Sequence, residues 1–129
     1  MGKIVEIKRA LVSVSDKEGL DELVKYLDEQ GVEIIASGGT AKYLQLLGID
    51  ATPIEEVTGN PEAFGGRMKT ISFQVASALL YRREHNEDVT HAQKLGINPI
   101  DLVICNLYPF EQVMKRDNVD IDELIENID

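Results

Sequence analysis

The sequence predicts an α/β fold in which a mostly parallel sheet is doubly wound, with helices on both faces. Three observations lead there. Short apolar, β-branched runs alternate with stretches whose apolar residues recur at helical spacing. Polar, glycine-bearing turns follow the strand-like runs and open the helices. The chain has 129 residues, 43% of them hydrophobic and 28% charged, which suits one globular domain spanning 1–129 with a core of its own.

In chain order, 9–14 (RALVSV) reads as a buried first strand. Ser15 with Glu18 three residues on has the spacing of a capping box. Leu20, Leu23, Val24 and Leu27 then give a helix one apolar face, which Gly31 ends. Residues 32–36 (VEIIA) read as the second strand, and Ser37-Gly38-Gly39-Thr40 as the turn into a helix over 41–47, closed by Gly48. A short strand follows near 49–53. Three glycines and a proline between 55 and 68 predict an irregular loop. The stretch 71–84 becomes helical toward its end, and 88–95 is a surface helix closed by Gly96. Residues 101–107 (DLVICNL) read as a buried strand stopped by Tyr108-Pro109-Phe110. Asp120 with Glu123 opens a last helix, with Ile121, Leu124, Ile125 and Ile128 on one face.

Thirteen basic against 23 acidic residues leave a formal charge of −10. That argues against a general nucleic-acid or anionic-membrane surface, which binds by neutralising phosphate. A small anionic ligand needs only a local cluster of donors and stays open. The single cysteine, Cys105, has no intramolecular disulfide partner, so a reducing compartment is expected. The N-terminus has no secretory pattern and no apolar run approaches bilayer length, which makes a cytoplasmic location the expectation.

Open α/β sheets bind ligands beyond the carboxyl ends of their strands. Three motifs fall there: Ser15-Asp16-Lys17, Ser37-Gly38-Gly39-Thr40, and Asn106-Leu107-Tyr108-Pro109. Free backbone N–H groups and the helix dipole at the first two favour an anion, and paired glycines allow close approach, so together they read as a phosphate cradle. Taken singly, each also reads as an ordinary cap or turn. Arg67-Met68-Lys69-Thr70 adds a basic cluster after Gly65-Gly66, with Arg67 suited to a forked anion clamp and Lys69 to a point charge or proton donor. His85 and His91 are poorly spaced for a metal and are assigned to the surface, and Cys105 to a packed strand position.

In this order, SVSDKEGL (13–20), ASGGTAKYL (36–44), VTGNPEAFGGRMKT (57–70), IDLVICNLYPFE (100–111) and IENID (125–129) resemble the inosine monophosphate cyclohydrolase domain of bifunctional purine biosynthesis proteins. The resemblance covers nearly the whole chain. It implies a methylglyoxal synthase-like fold with a five-stranded parallel sheet, shared with methylglyoxal synthase and a regulatory domain of carbamoyl phosphate synthetase. The reaction it implies closes the purine ring of a formamido-imidazole-carboxamide ribonucleotide with loss of water, and calls for no redox cofactor or metal.

The resemblance also implies roles residue by residue. Ser15, Asp16 and Lys17 match a nucleotide-binding stretch, Ser37, Gly38, Gly39 and Thr40 the phosphate-facing loop, and Arg67 and Thr70 a second binding stretch. Cys105 and Asn106 match base-facing positions. Lys69, Tyr108 and Asp129 match the residues that transfer protons and polarise the reacting end of the substrate. A purine nucleotide is the implied small-molecule partner and a homodimer the implied assembly.

The sequence departs from the family pattern in two places. Ile71-Ser72-Phe73-Gln74-Val75-Ala76-Ser77 replaces a Leu-His-Pro segment and a glycine pair. The family also continues past the acid matched by Asp129 to a catalytic lysine and a formyltransferase domain, neither of which is in these 129 residues. Two other readings fit the cradle: a nucleotide- or phosphate-binding module without catalysis, and methylglyoxal synthase, to which SVSDK, SGGT and NLYPF correspond less well.

Overall fold

The four strands β1 (Arg9–Ser13), β2 (Glu33–Ala36), β3 (Ala51–Pro53) and β4 (Leu102–Cys105) form one sheet in the order β3-β2-β1-β4. Every neighbouring pair is parallel. The structure is a computed structural model of the chain and describes residues 4–61, 63, 64, 69–107 and 109–126. The sheet expected to have five strands thus has four among the described residues.

Side chains alternate across a strand, so each strand serves two cores. On one face Ala10, Val12, Ile34 and Ala36 pack with Leu20, Val24 and Leu27 of α1 (Leu20–Glu29) and with Ala41 and Leu44 of α2 (Gly38–Leu46). On the other, Leu11 and Ile35 pack with Ile54 of α3 (Ile54–Thr58), with Val75 and Ala78 of α4 (Phe73–Leu80), and with Ile100. The doubly wound pattern follows from this division. Beyond these lie α5 (Asn86–Leu95), α6 (Phe110–Met114) and α7 (Ile121–Glu126).

Several sequence expectations change. The capping box at Ser15 does not form: α1 begins at Leu20, after Gly19 at φ 76°. Asp16 Oδ1 instead takes the N–H of Glu18 at 2.9 Å, making a local turn that competes with helix. Within α1, Leu23 stays 41% exposed while its three apolar companions are buried. Helix α2 starts three residues earlier than expected, directly after Ser37. The loop expected from 55 is helical over its first residues, as part of α3, which Gly59 caps at φ 73°. Helix α4 stops at Leu80, where Tyr81 turns extended.

The largest change concerns β4. It was expected to be buried, yet its burial alternates, with Val103 43% exposed and Cys105 exposed. The strand lies at the edge of the described sheet, paired only with β1 there. A packed Cys105 thiol is therefore not found. At the chain's far end the Asp120 cap does form, with Oδ1 accepting from the Glu123 N–H at 2.7 Å. Ile121 and Ile125 are nevertheless exposed, and Ile128 lies outside the described residues.

Opposite the candidate site, Asp101 closes the amino end of the sheet. Its carboxylate accepts from the backbone N–H groups of Lys8 at 2.8 Å and Arg9 at 3.0 Å and pairs with the Arg83 guanidinium.

Candidate functional site

Strand order places the site. The chain steps outward from β1 through β2 to β3, then returns to put β4 on the opposite side of β1. The carboxyl ends of β1 and β4 therefore flank the topological switch point, where such sheets open a crevice. The loops after β1, β2 and β4 meet there through side-chain hydrogen bonds.

At the end of β1, Ser13 Oγ lies 3.0 Å from Ser37 Oγ, the hydroxyl at the end of β2. Thr40 Oγ1 accepts from the Val14 N–H at 3.2 Å and donates to the Val14 carbonyl at 3.3 Å. Across the switch point, Asn106 Oδ1 accepts from the N–H of Ser15 at 2.7 Å and of Asp16 at 3.3 Å. Its Nδ2 donates to the Asp16 carbonyl at 2.7 Å. Lys17 Nζ folds over the same loop, donating to the carbonyls of Val14 at 3.1 Å and Ser15 at 3.4 Å. Its ammonium is thereby held at the sheet's carboxyl edge.

Ser37 and Thr40 are 2% and 3% exposed, so their side chains serve the scaffold. What the second loop offers a ligand is backbone. The first intrahelical acceptor of α2 is Ser37 O, which takes the N–H of Ala41 at 2.7 Å. The N–H groups of Gly38, Gly39 and Thr40 precede it and have no acceptor within the helix. A Cβ built on Gly39 would meet no atom within 4 Å. Its backbone is therefore open to close approach.

A cavity of about 670 Å³ occupies the crevice. That lies within the roughly 300–1,000 Å³ usual for small-molecule sites. Ser15, Lys69, Thr70, Cys105 and Asn106 line it together, so five of the predicted residues share one space. Leu11, Val75, Leu79 and Val103 make an apolar wall. Asp16 and Lys17 belong to the loop at its rim, and the 37–40 turn is joined to it through Ser13. Lys69 also borders a smaller cavity of about 260 Å³ with Thr58, Asn60 and Phe64. Arg67, Tyr108 and Asp129 lie outside the described residues.

Sequence reasoning missed Ser13 and Ser72 as site residues. Ser13 was read as an inner residue of a strand over 9–14, whereas β1 ends at Ser13 and so brings it to the carboxyl edge. Ser72 Oγ accepts from the Val75 N–H at 3.0 Å and caps α4. The segment that departs from the family pattern thus starts a helix on the cavity wall, and Ser72, Phe73 and Val75 line that wall. A serine just before an apolar run carries that signal. Among the described residues no group of three His, Cys, Asp or Glu side chains is placed to hold a metal, and no helix is long and apolar enough to cross a membrane.

Residues 19–129 match the MGS-like domain family. The chain belongs to that family. Its MGS-like domain is 49% identical over 123 residues to the bifunctional purine biosynthesis protein PurH of Acetivibrio thermocellus and 50% identical to that of Bacillus subtilis. Each alignment covers 95% of this chain and 24% of the relative, so the chain spans about a quarter of the length of these curated proteins. Among solved structures, the crystal structure of ForH superposes with a TM-score of 0.70 at 33% identity, covering 80% of this chain and 54% of that one. The parallel, doubly wound sheet of the MGS-like domain was therefore readable from the sequence, with four described strands in place of five.

Proposed function

We propose that this MGS-like domain is an inosine monophosphate cyclohydrolase domain. It closes the purine ring of a formamido-imidazole-carboxamide ribonucleotide in the last step of purine biosynthesis. The observation that carries the reading is the gathering of Ser15, Lys69, Thr70, Cys105 and Asn106 around one cavity at the switch point. The near-50% identity to PurH over 95% of the chain supports the choice of nucleotide.

The reaction is intramolecular. The carboxamide nitrogen attacks the formyl carbon, a C–N bond forms, and the formyl oxygen departs as water. The main task of the site is to fold the substrate so that the two groups meet, which can be worth roughly 7–11 kcal/mol of barrier. The 5′-phosphate anchors against the free N–H groups of Gly38, Gly39 and Thr40, aided by Lys17 and Arg67. The base lies along the crevice toward Cys105 and Asn106. Lys69 supplies positive charge beside the developing oxyanion, and Tyr108 and Asp129 complete the proton transfers at the reacting end.

Ring closure is followed by the absorbance of inosine monophosphate formed from the formamido substrate. Turnover by the chain, lost by at least about a hundredfold in Lys69→Ala, supports the assignment. Equal rates in both proteins would remove Lys69 from the mechanism. Nucleotide binding without product would make the domain a binding module, and methylglyoxal released from dihydroxyacetone phosphate would make it a methylglyoxal synthase.

A further inference from the structure

We infer that Phe73 is the platform on which the purine ring of the nucleotide stacks. The inference rests on the nucleotide-binding reading above and names the residue that selects for a base within that site.

The site is divided by chemistry. The free N–H groups of the 38–40 turn and the Lys17 ammonium suit a phosphate, and none of these residues lines the cavity of about 670 Å³. That cavity has an apolar wall of Leu11, Val75, Leu79 and Val103. A ribose phosphate has no flat apolar face to set against such a wall, whereas a purine has two. The base therefore takes the cavity and the phosphate takes the turn. Among the described residues, Phe73 is the one aromatic side chain that lines the cavity. Its ring offers a base what the aliphatic wall cannot, a π-face.

The backbone beneath Phe73 is fixed while its side chain is open. Phe73 is the first residue of α4, directly after Ser72, whose Oγ caps the helix by accepting from the Val75 N–H at 3.0 Å. Val75 and Ala78 are buried against the sheet and hold the helix there. Phe73 itself is 63% exposed and so contributes little to the core. With Ala76 it also borders an adjoining cavity of about 370 Å³ between α4 and α5, so the ring stands as a partition between two spaces. The position is particular to this chain. Phe73 falls in the segment that replaces Leu-His-Pro, at the place of the proline, which has an apolar edge but no π-face.

The test titrates the 129-residue chain and its Phe73→Ala, Phe73→Leu and Phe73→Tyr variants with inosine monophosphate and with ribose 5-phosphate, which keeps the phosphate and lacks the base. Wild type is expected to prefer inosine monophosphate. In Phe73→Ala that affinity is expected to fall about tenfold, with ribose 5-phosphate affinity and the melting temperature of the free chain unchanged. Tyrosine is expected to keep full affinity and leucine to recover little of it, because leucine restores bulk without a π-face. Unchanged inosine monophosphate affinity in Phe73→Ala would overturn the inference. Equal losses for both ligands would also overturn it, by placing the effect on the phosphate end or the fold. Full affinity in Phe73→Leu would reduce the ring to apolar filling and overturn the platform. Should the alanine variant not fold, leucine and tyrosine decide by the same comparison. A wild-type chain that binds both ligands equally has no base subsite, which overturns the platform and leaves the phosphate cradle standing. One that binds neither overturns the nucleotide reading and the platform together.

Discussion

Thr40 Oγ1 makes two hydrogen bonds to one residue, accepting from the Val14 N–H and donating to the Val14 carbonyl. A side chain in the first turn of α2 thereby takes the place of a neighbouring strand for the last residue before the β1 loop. Thr40 is buried, so the bonds are made where their loss is felt.

Thr40→Val is close to isosteric and removes both bonds. The expected cost is about 1–3 kcal/mol, measured as a shift of the urea midpoint at unchanged slope. Thr40→Ser keeps the hydroxyl and is expected to recover most of that loss. A valine variant as stable as wild type would show that the Val14 groups find other partners.

Gly39 separates folding from binding. No chain atom lies where its Cβ would be, and it sits in the first turn of a helix. Gly39→Ala is expected to leave stability unchanged or raise it by up to about 1 kcal/mol, since alanine gives up less backbone entropy. It should weaken inosine monophosphate binding, because the methyl group occupies the space a phosphate would enter. Full affinity in a stable Gly39→Ala chain would place the phosphate elsewhere.

Asp101 predicts the acid side of the stability profile. Burial alone would raise its carboxyl, but the Lys8 N–H, the Arg83 guanidinium and the Arg9 N–H outweigh burial and hold it below the ordinary carboxylate value. A carboxyl whose folded-state pKa is lowered stabilises the fold above its unfolded pKa of about 4. That contribution is lost as pH falls through the folded value. Asp101→Asn is therefore expected to be less stable than wild type at neutral pH, with the gap narrowing under acid. Denaturant titrations along a pH series measure it, and a gap independent of pH would contradict the ionic role.

Elements with strong local signals were legible in the sequence. The β-branched runs of β1 and β2 pointed to buried strands, and the apolar faces of α1 and α2 follow their spacing. Edges and competing local bonds were not. Nothing in LVIC distinguishes an edge strand from a central one, so Val103 and Cys105 were read as packed. Ser15 and Glu18 have capping spacing, but Asp16 between them captures the Glu18 N–H first, and Gly19 at positive φ starts the helix instead. At the site, residue types and their places after strands identified the Ser15, Ser37 and Asn106 motifs. That the Ser37 and Thr40 side chains are buried in cross-links, leaving the backbone to face a ligand, needed the tertiary structure.

The proposed function needs a nucleotide site at the carboxyl ends of β1, β2 and β4. Its most direct test is the melting temperature of this chain with and without inosine monophosphate. At about 100 times the dissociation constant the ligand adds roughly 2.7 kcal/mol to stability. For a domain of this size that is a rise on the order of 5 °C or more. Such a rise, reduced in Gly39→Ala, is the predicted result. An unchanged melting temperature at millimolar nucleotide would contradict the site.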